Sequence, residues 1–229
     1  MLDAIRNRTP AGVVSGAIAV AAAAAIVGAM AGPELLWLHY LCKPLTTFAI
    51  AILAWRTADA VSNRYRTTVL AGLSLSLVGD VLLMLPVDLF VPGLIAFLLA
   101  HLCYVAAFLP GSNARARVLA FVPVALIAAA NLAGLLPRVA TPLKAPVVVY
   151  TIVLGTMAAF ALARAFTPAI AQSVPRSARI AAIGAACFMV SDSLLAWDKF
   201  GGGLPMSALS VLGTYYLAQW CIARSVQRA

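Results

Sequence analysis

The sequence predicts an all-α, polytopic membrane bundle of about eight transmembrane helices. Three observations carry that prediction. Hydrophobic residues make up 64% of the chain and charged residues only 10%, against about 45–50% and 25% in soluble domains. Mean hydropathy is +1.01. Apolar runs of the ~20 residues needed to cross a bilayer recur along all 229 residues and leave room for little besides short loops. A single transmembrane domain over 1–229, with no soluble domain appended, is the expectation.

Breaks at proline, glycine and charge clusters divide the chain into runs near 11–31, 35–55, 67–86, 92–110, 118–136, 145–164, 180–197 and 205–223. The first follows Arg6 and Arg8 as a signal peptide would, but it is long and has no clear polar cleavage region, so it reads as a retained helix. With the N-terminus inside, twelve of the sixteen basic residues, from Arg6 to Arg228, fall in cytoplasmic segments. The outer loops hold Arg138, Lys144 and Lys199. This positive-inside bias places both termini in the cytoplasm, and the Ala- and Arg-rich composition points to a bacterial inner membrane. The same topology accounts for the net charge of +9; scattered arginines with no basic face give no support to a nucleic-acid partner. Trp37, Tyr40 and Trp197 near outer ends and Trp55 near an inner end fit headgroup anchors. Cys42, Cys103, Cys187 and Cys221 lie inside spans without the spacing of a zinc site and read as packing residues.

Shifting the chain by 112 residues lays Gly72, Val78, Asp80, Leu82, Leu83 and Tyr104 on Gly184, Val190, Asp192, Leu194, Leu195 and Tyr216. A four-helix shift preserves direction, so a parallel 4+4 duplication about an axis along the membrane normal is permitted.

The sixteenth basic residue, Lys43, falls within the second span, and Asp80, His101 and Asp192 are also intramembrane. An ionisable group in hydrocarbon costs about 2.5–3.5 kcal/mol or more, so such groups face the bundle interior and mark function. Helical rise puts each about 9–14 Å from the outer edge of its helix, in one layer. Neighbours at three- or four-residue spacings extend the polar faces: His39 and Thr46 or Thr47 with Lys43, Ser76 with Asp80, Tyr104 with His101, Gln219 with Tyr215. A wet cavity opening outward would accommodate them. A purely structural alternative pairs Lys43 with one aspartate and His101 with the other. No Gly-Xaa-Ser-Xaa-Gly elbow, Walker loop or His-Glu-Xaa-Xaa-His motif is present.

Five segments in order, Lys43–Leu53, Gly72–Met84, Gly93–Phe108, Ser191–Phe200 and Tyr215–Ser225, resemble the YhhN-like lysoplasmalogenase family. The resemblance covers most of the chain but not the first helix. It implies an eight-helix protein that hydrolyses the vinyl ether bond of lysoplasmalogens, releasing a fatty aldehyde and glycerophosphoethanolamine or glycerophosphocholine. It also implies catalytic aspartates in the Gly-Asp and Ser-Asp elements, here Asp80 and Asp192.

Vinyl ethers hydrolyse when a proton reaches the alkene carbon and water captures the resulting oxocarbenium ion. Two aspartates in one apolar cavity can supply the acid and the anion. Lys43 is the expected phosphate partner, with His101, Tyr104, Ser191, Tyr215 and Gln219 as further substrate-binding candidates. No metal or organic cofactor is required. The partners expected are a lysophospholipid substrate and membrane lipids. The rival readings are a transporter, of lysolipid or of protons with a solute, and a non-catalytic scaffold.

Overall fold

The computed structural model describes residues 11–228; Arg6 and Arg8, on which part of the topology argument rests, lie outside them. The helices are α1 (Ala11–Met30), α2 (Leu36–Trp55), α3 (Asn63–Met84), α4 (Phe90–Phe108), α5 (Ala114–Leu135), α6 (Thr141–Phe166), the short α7 (Pro168–Ser173), α8 (Pro175–Phe200) and α9 (Ser207–Arg224), with single 3₁₀ turns at Pro33–Leu35 and Leu136–Arg138. Among the described residues, seven helices are long and apolar enough to cross a membrane. The eighth long helix, α9, has 18 residues, and its buried Tyr215, Tyr216 and Gln219 dilute its apolar character. Those side chains are covered by protein rather than lipid, so hydropathy understates how fully α9 belongs to the bundle.

Several helices extend beyond their apolar runs at the arginine-bearing end. α3 starts at Asn63, where the Ser62 hydroxyl accepts from the Tyr65 amide at 3.1 Å, and α5 starts at Ala114, where the Asn113 side chain accepts from the Ala116 amide at 2.8 Å. These caps lie five residues before the apolar runs that begin near 67 and 118. Arg64, Arg66, Arg115 and Arg117 fill the gap, because their apolar stems continue the helix while their heads reach water.

The long helices pack as hairpins: α1 with α2, α3 with α4, α5 with α6, and α8 with α9. Across hairpins, α2 packs on α3 and on α9, while α6 packs on α8 and on α4. A shift of 112 residues carries α2, α3 and α4 onto α6, α8 and α9, so these two sets of contacts are one scheme with the halves exchanged. The glycines agree with it. A Cβ on Gly72 would fall 2.3 Å from the Tyr104 ring on α4, and one on Gly184 would fall 2.9 Å from the Ala218 carbonyl on α9. Each glycine lets the third helix of its half approach the fourth. Val78 and Val190 both face outward, at 50% and 49% exposure. The first helices depart from the scheme: α1 packs on α2 and α9, α5 on α6 and α8.

At the opposite end from the cavity described below, the α2–α3 loop is clasped to the C-terminal segment. The Val61 amide donates to the Val226 carbonyl and the Arg228 amide to the Asp59 carbonyl, both at 2.9 Å.

Candidate active site

A cavity of about 320 Å³ lies at the end of the bundle where α1, α3, α5 and α8 finish and α2, α4, α6 and α9 begin. Lys43, Asp80, Ser191, Asp192 and Tyr215 line it. Because all eight long helices contribute walls, intramembrane polar groups on separate helices reach one space.

Asp80 is 1% exposed and is ringed by donors from two other helices. The Thr47 hydroxyl on α2 and the Tyr215 hydroxyl on α9 each donate to Oδ2 at 2.6 Å, and the Lys43 ammonium stands 3.7 Å from Oδ1. Lys43 and Thr47 are one helical turn apart, so α2 presents both to the same carboxylate. Behind Tyr215, the Gln219 amide donates to its hydroxyl at 3.2 Å, and the Tyr104 hydroxyl donates to the Gln219 carbonyl oxygen at 2.8 Å. Tyr104 and Gln219 are fully buried. This chain fixes the tyrosine hydroxyl and leaves few polar atoms unpaired, which is what a low-dielectric setting demands.

Asp192 sits in a matching arrangement. The Tyr150 hydroxyl on α6 donates to its Oδ2 at 2.5 Å, and His101 Nε2 on α4 lies 3.4 Å from the same oxygen and 2.9 Å from the Tyr150 hydroxyl. Thus each aspartate lies on the third helix of its half and draws partners from its own second helix and the other half's fourth. The His101 ring is fully buried, edge-on to Phe188 at 4.6 Å and to Tyr150 at 5.3 Å between centroids. The Asp192 side chain retains 13% exposure, against 2% for Asp80, and no hydrogen bond reaches its Oδ1 among the described residues.

The site residues named from sequence therefore divide in two. Lys43, Asp80, Asp192, Ser191 and Tyr215 are at the cavity wall, although the Ser191 hydroxyl is committed to the Val211 carbonyl at 3.0 Å. His101, Tyr104 and Gln219 stand behind the wall, linked to it by hydrogen bonds through Tyr150 and Tyr215. The polar layer is also less level than helical rise suggested. Asp80 is four residues from the end of α3, about 6 Å, whereas His101 is eleven from the start of α4, about 16 Å.

Sequence reasoning passed over Tyr150 and Asn131. A tyrosine in a long apolar run reads as packing, and neither residue belongs to a recognisable motif. Asn131 is a clue in retrospect, an amide inside a span. Its Nδ2 donates to the Ser193 hydroxyl and its Oδ1 accepts from the Trp197 indole, both at 2.7 Å. Trp197 therefore makes an interhelical contact, whereas Trp37 and Trp55, 58% and 61% exposed, lie at the surface. The four cysteines are free. No group of three or more His, Cys, Asp or Glu side chains suited to a metal occurs among the described residues.

The fold and the site define a polytopic membrane protein whose cavity is walled by two aspartates on corresponding helices. The YhhN family profile matches residues 38–226, and the chain belongs to that family. Human lysoplasmalogenase TMEM86B is 32% identical over 86% of this chain and 78% of its own length. A Mycobacterium bovis protein named lysoplasmalogenase is 34% identical over 79% of this chain and 69% of its own. No solved structure matches.

Proposed function

We propose that this protein is a lysoplasmalogenase-type hydrolase that cleaves the vinyl ether of an alkenyl lysophospholipid with Asp192 as acid and Asp80 as the stabilising anion. The observation that carries the proposal is the pair of aspartates on one cavity wall, each held by partners from both halves. The lysoplasmalogenase relatives give the substrate class.

The two carboxylates differ in a way that suits different roles. Asp80 faces an ammonium and two hydroxyl donors, partners that favour its anionic form. Asp192 has an oxygen free toward the cavity and can carry a proton to a carbon placed there. The reaction begins when Asp192 gives its proton to the alkene carbon remote from the ether oxygen. The neighbouring carbon becomes an oxocarbenium ion, whose charge Asp80 offsets. Water adds to that carbon and loses a proton to the Asp192 carboxylate, restoring the acid. The hemiacetal then collapses to a fatty aldehyde and the glycerophospho-alcohol, so atoms and charge balance. Lys43, on the same cavity wall, can meet the phosphate. A cavity facing the outer leaflet of a bacterial inner membrane, with cytoplasmic termini, follows from the arginine distribution.

The test is aldehyde release from 1-alkenyl-glycerophosphoethanolamine by purified protein in detergent, with Asp80→Asn and Asp192→Asn in parallel. Release by the wild type and its loss in both folded variants is expected. A folded wild type that leaves the lipid intact would refute the hydrolase and favour transport of the same lipid.

A further inference from the structure

Two lining positions of α2 have lining counterparts 112 residues on in α6, and Val147, Tyr150 and Leu154 line the cavity from α6 without one. His39 and Thr151 are 112 residues apart and both line the cavity; Lys43 and Gly155 share that spacing and both line it too. On the α2 side the Lys43 side chain lines the cavity beside its partner Asp80. On the α6 side no side chain stands at the matching position. The nearest atom a Cβ at Gly155 would meet is a methyl of Val124, at 3.6 Å. Beyond Tyr150 and Asp192 the cavity runs on between α5, α6 and α8, walled by Ile127, Leu154, Gly155 and Met189. Those walls carry no charge, and Ile127 is 61% exposed toward the bilayer.

From this broken symmetry we infer that the cavity has two arms of opposite chemistry: a cationic arm at Lys43 for the glycerophosphate, and an apolar arm past Gly155 for the single alkyl chain. Gly155 is the residue that sets how much chain the second arm admits. The inference rests on the lysolipid reading above and gives it a direction. Gly155 is five residues beyond Tyr150, about 7.5 Å of helix or about six methylenes. A chain entering there passes the aspartates with its first carbons, and the remainder leaves toward lipid beside Ile127.

Two measurements test this. The first is crosslinking of the wild type with a 1-O-alkyl-glycerophosphocholine, which contains no vinyl ether, bearing a diazirine near the sixth chain carbon. Adducts on Ile127, Leu154 or Met189 are expected; adducts confined to α1, α2 or α3 would overturn the inference. The second compares Gly155→Phe with Gly155→Ala over alkenyl lysolipids of six to eighteen carbons. Phe should lower kcat/KM for long chains by more than about tenfold, the equivalent of two displaced methylenes, and should spare the shortest. Ala, which adds a single methyl, should show the same chain-length dependence in smaller measure. A uniform loss across chain lengths would count against the arm. If the adducts map to the arm but the wild type releases no aldehyde, the lipid site stands and the hydrolase reading falls.

Discussion

Replacing Tyr150 by Phe removes one oxygen atom from the centre of the Asp192 cluster. That hydroxyl donates to Asp192 Oδ2 at 2.5 Å and lies 2.9 Å from His101 Nε2. The aromatic edge-to-face contact with His101, at 5.3 Å, survives the change. A hydrogen bond to a charged group is worth about 1.5–3 kcal/mol, and each 1.36 kcal/mol is a factor of ten in rate. If the hydroxyl orients Asp192 for proton delivery, kcat should fall by about 10- to 150-fold with little change in KM. Steady-state aldehyde release gives both parameters. Tyr104→Phe is the matched control, since its hydroxyl donates to Gln219 behind the wall rather than to an aspartate. It should cost about 1 kcal/mol of stability, a drop of about 2–4 °C in Tm for a chain of this size, and should lower kcat far less. A Tyr150→Phe protein that is folded and fully active would show that the Asp192 cluster is architectural and would remove Asp192 from its proposed role.

Lys43→Met leaves the Asp80 carboxylate buried without its cation and should destabilise by about 3–5 kcal/mol; adding Asp80→Asn should recover much of that loss in thermal unfolding, though not the activity. Gly72→Ala drives a methyl into the Tyr104 ring and should cost about 1–3 kcal/mol, whereas Gly213→Ala, with nothing within 4 Å, should be neutral or slightly stabilising. Asn131→Ala strands the Trp197 indole and the Ser193 hydroxyl; a Tm drop of several degrees is expected, and an unchanged Tm would contradict the contact. Aldehyde release should withstand EDTA.

The spans were readable because a bilayer leaves few ways to build a chain this apolar. Lys43, Asp80, His101 and Asp192 stood out because charge inside hydrocarbon is costly. The rotation of each helix about its axis was not readable, and it decides function at this site. Rotation puts Asp192 on the wall and His101 behind it, and commits Ser191 to a backbone carbonyl. It also gives Lys43 to Asp80 rather than to Asp192. The pairing of Lys43 with one aspartate and His101 with the other matches the purely structural alternative. What weighs toward chemistry is that both aspartates also face open space. Tyr150 escaped notice because its hydroxyl matters only through neighbours on α4 and α8, and no local pattern on α6 announces them.

The order of the partners along the chain bears on how such a protein is made. Helices enter the membrane roughly as they are synthesised, and a bare carboxylate would resist entering. Lys43 and Thr47 are already in place when Asp80 emerges, and His101 and Tyr150 have been made before Asp192. Tyr215, by contrast, follows Asp80 by 135 residues. Each acidic group thus meets a basic group that preceded it from the ribosome, while the hydroxyl that completes the Asp80 cluster arrives with the last helix. The Asp80 cluster is therefore completed only when α9 joins the bundle.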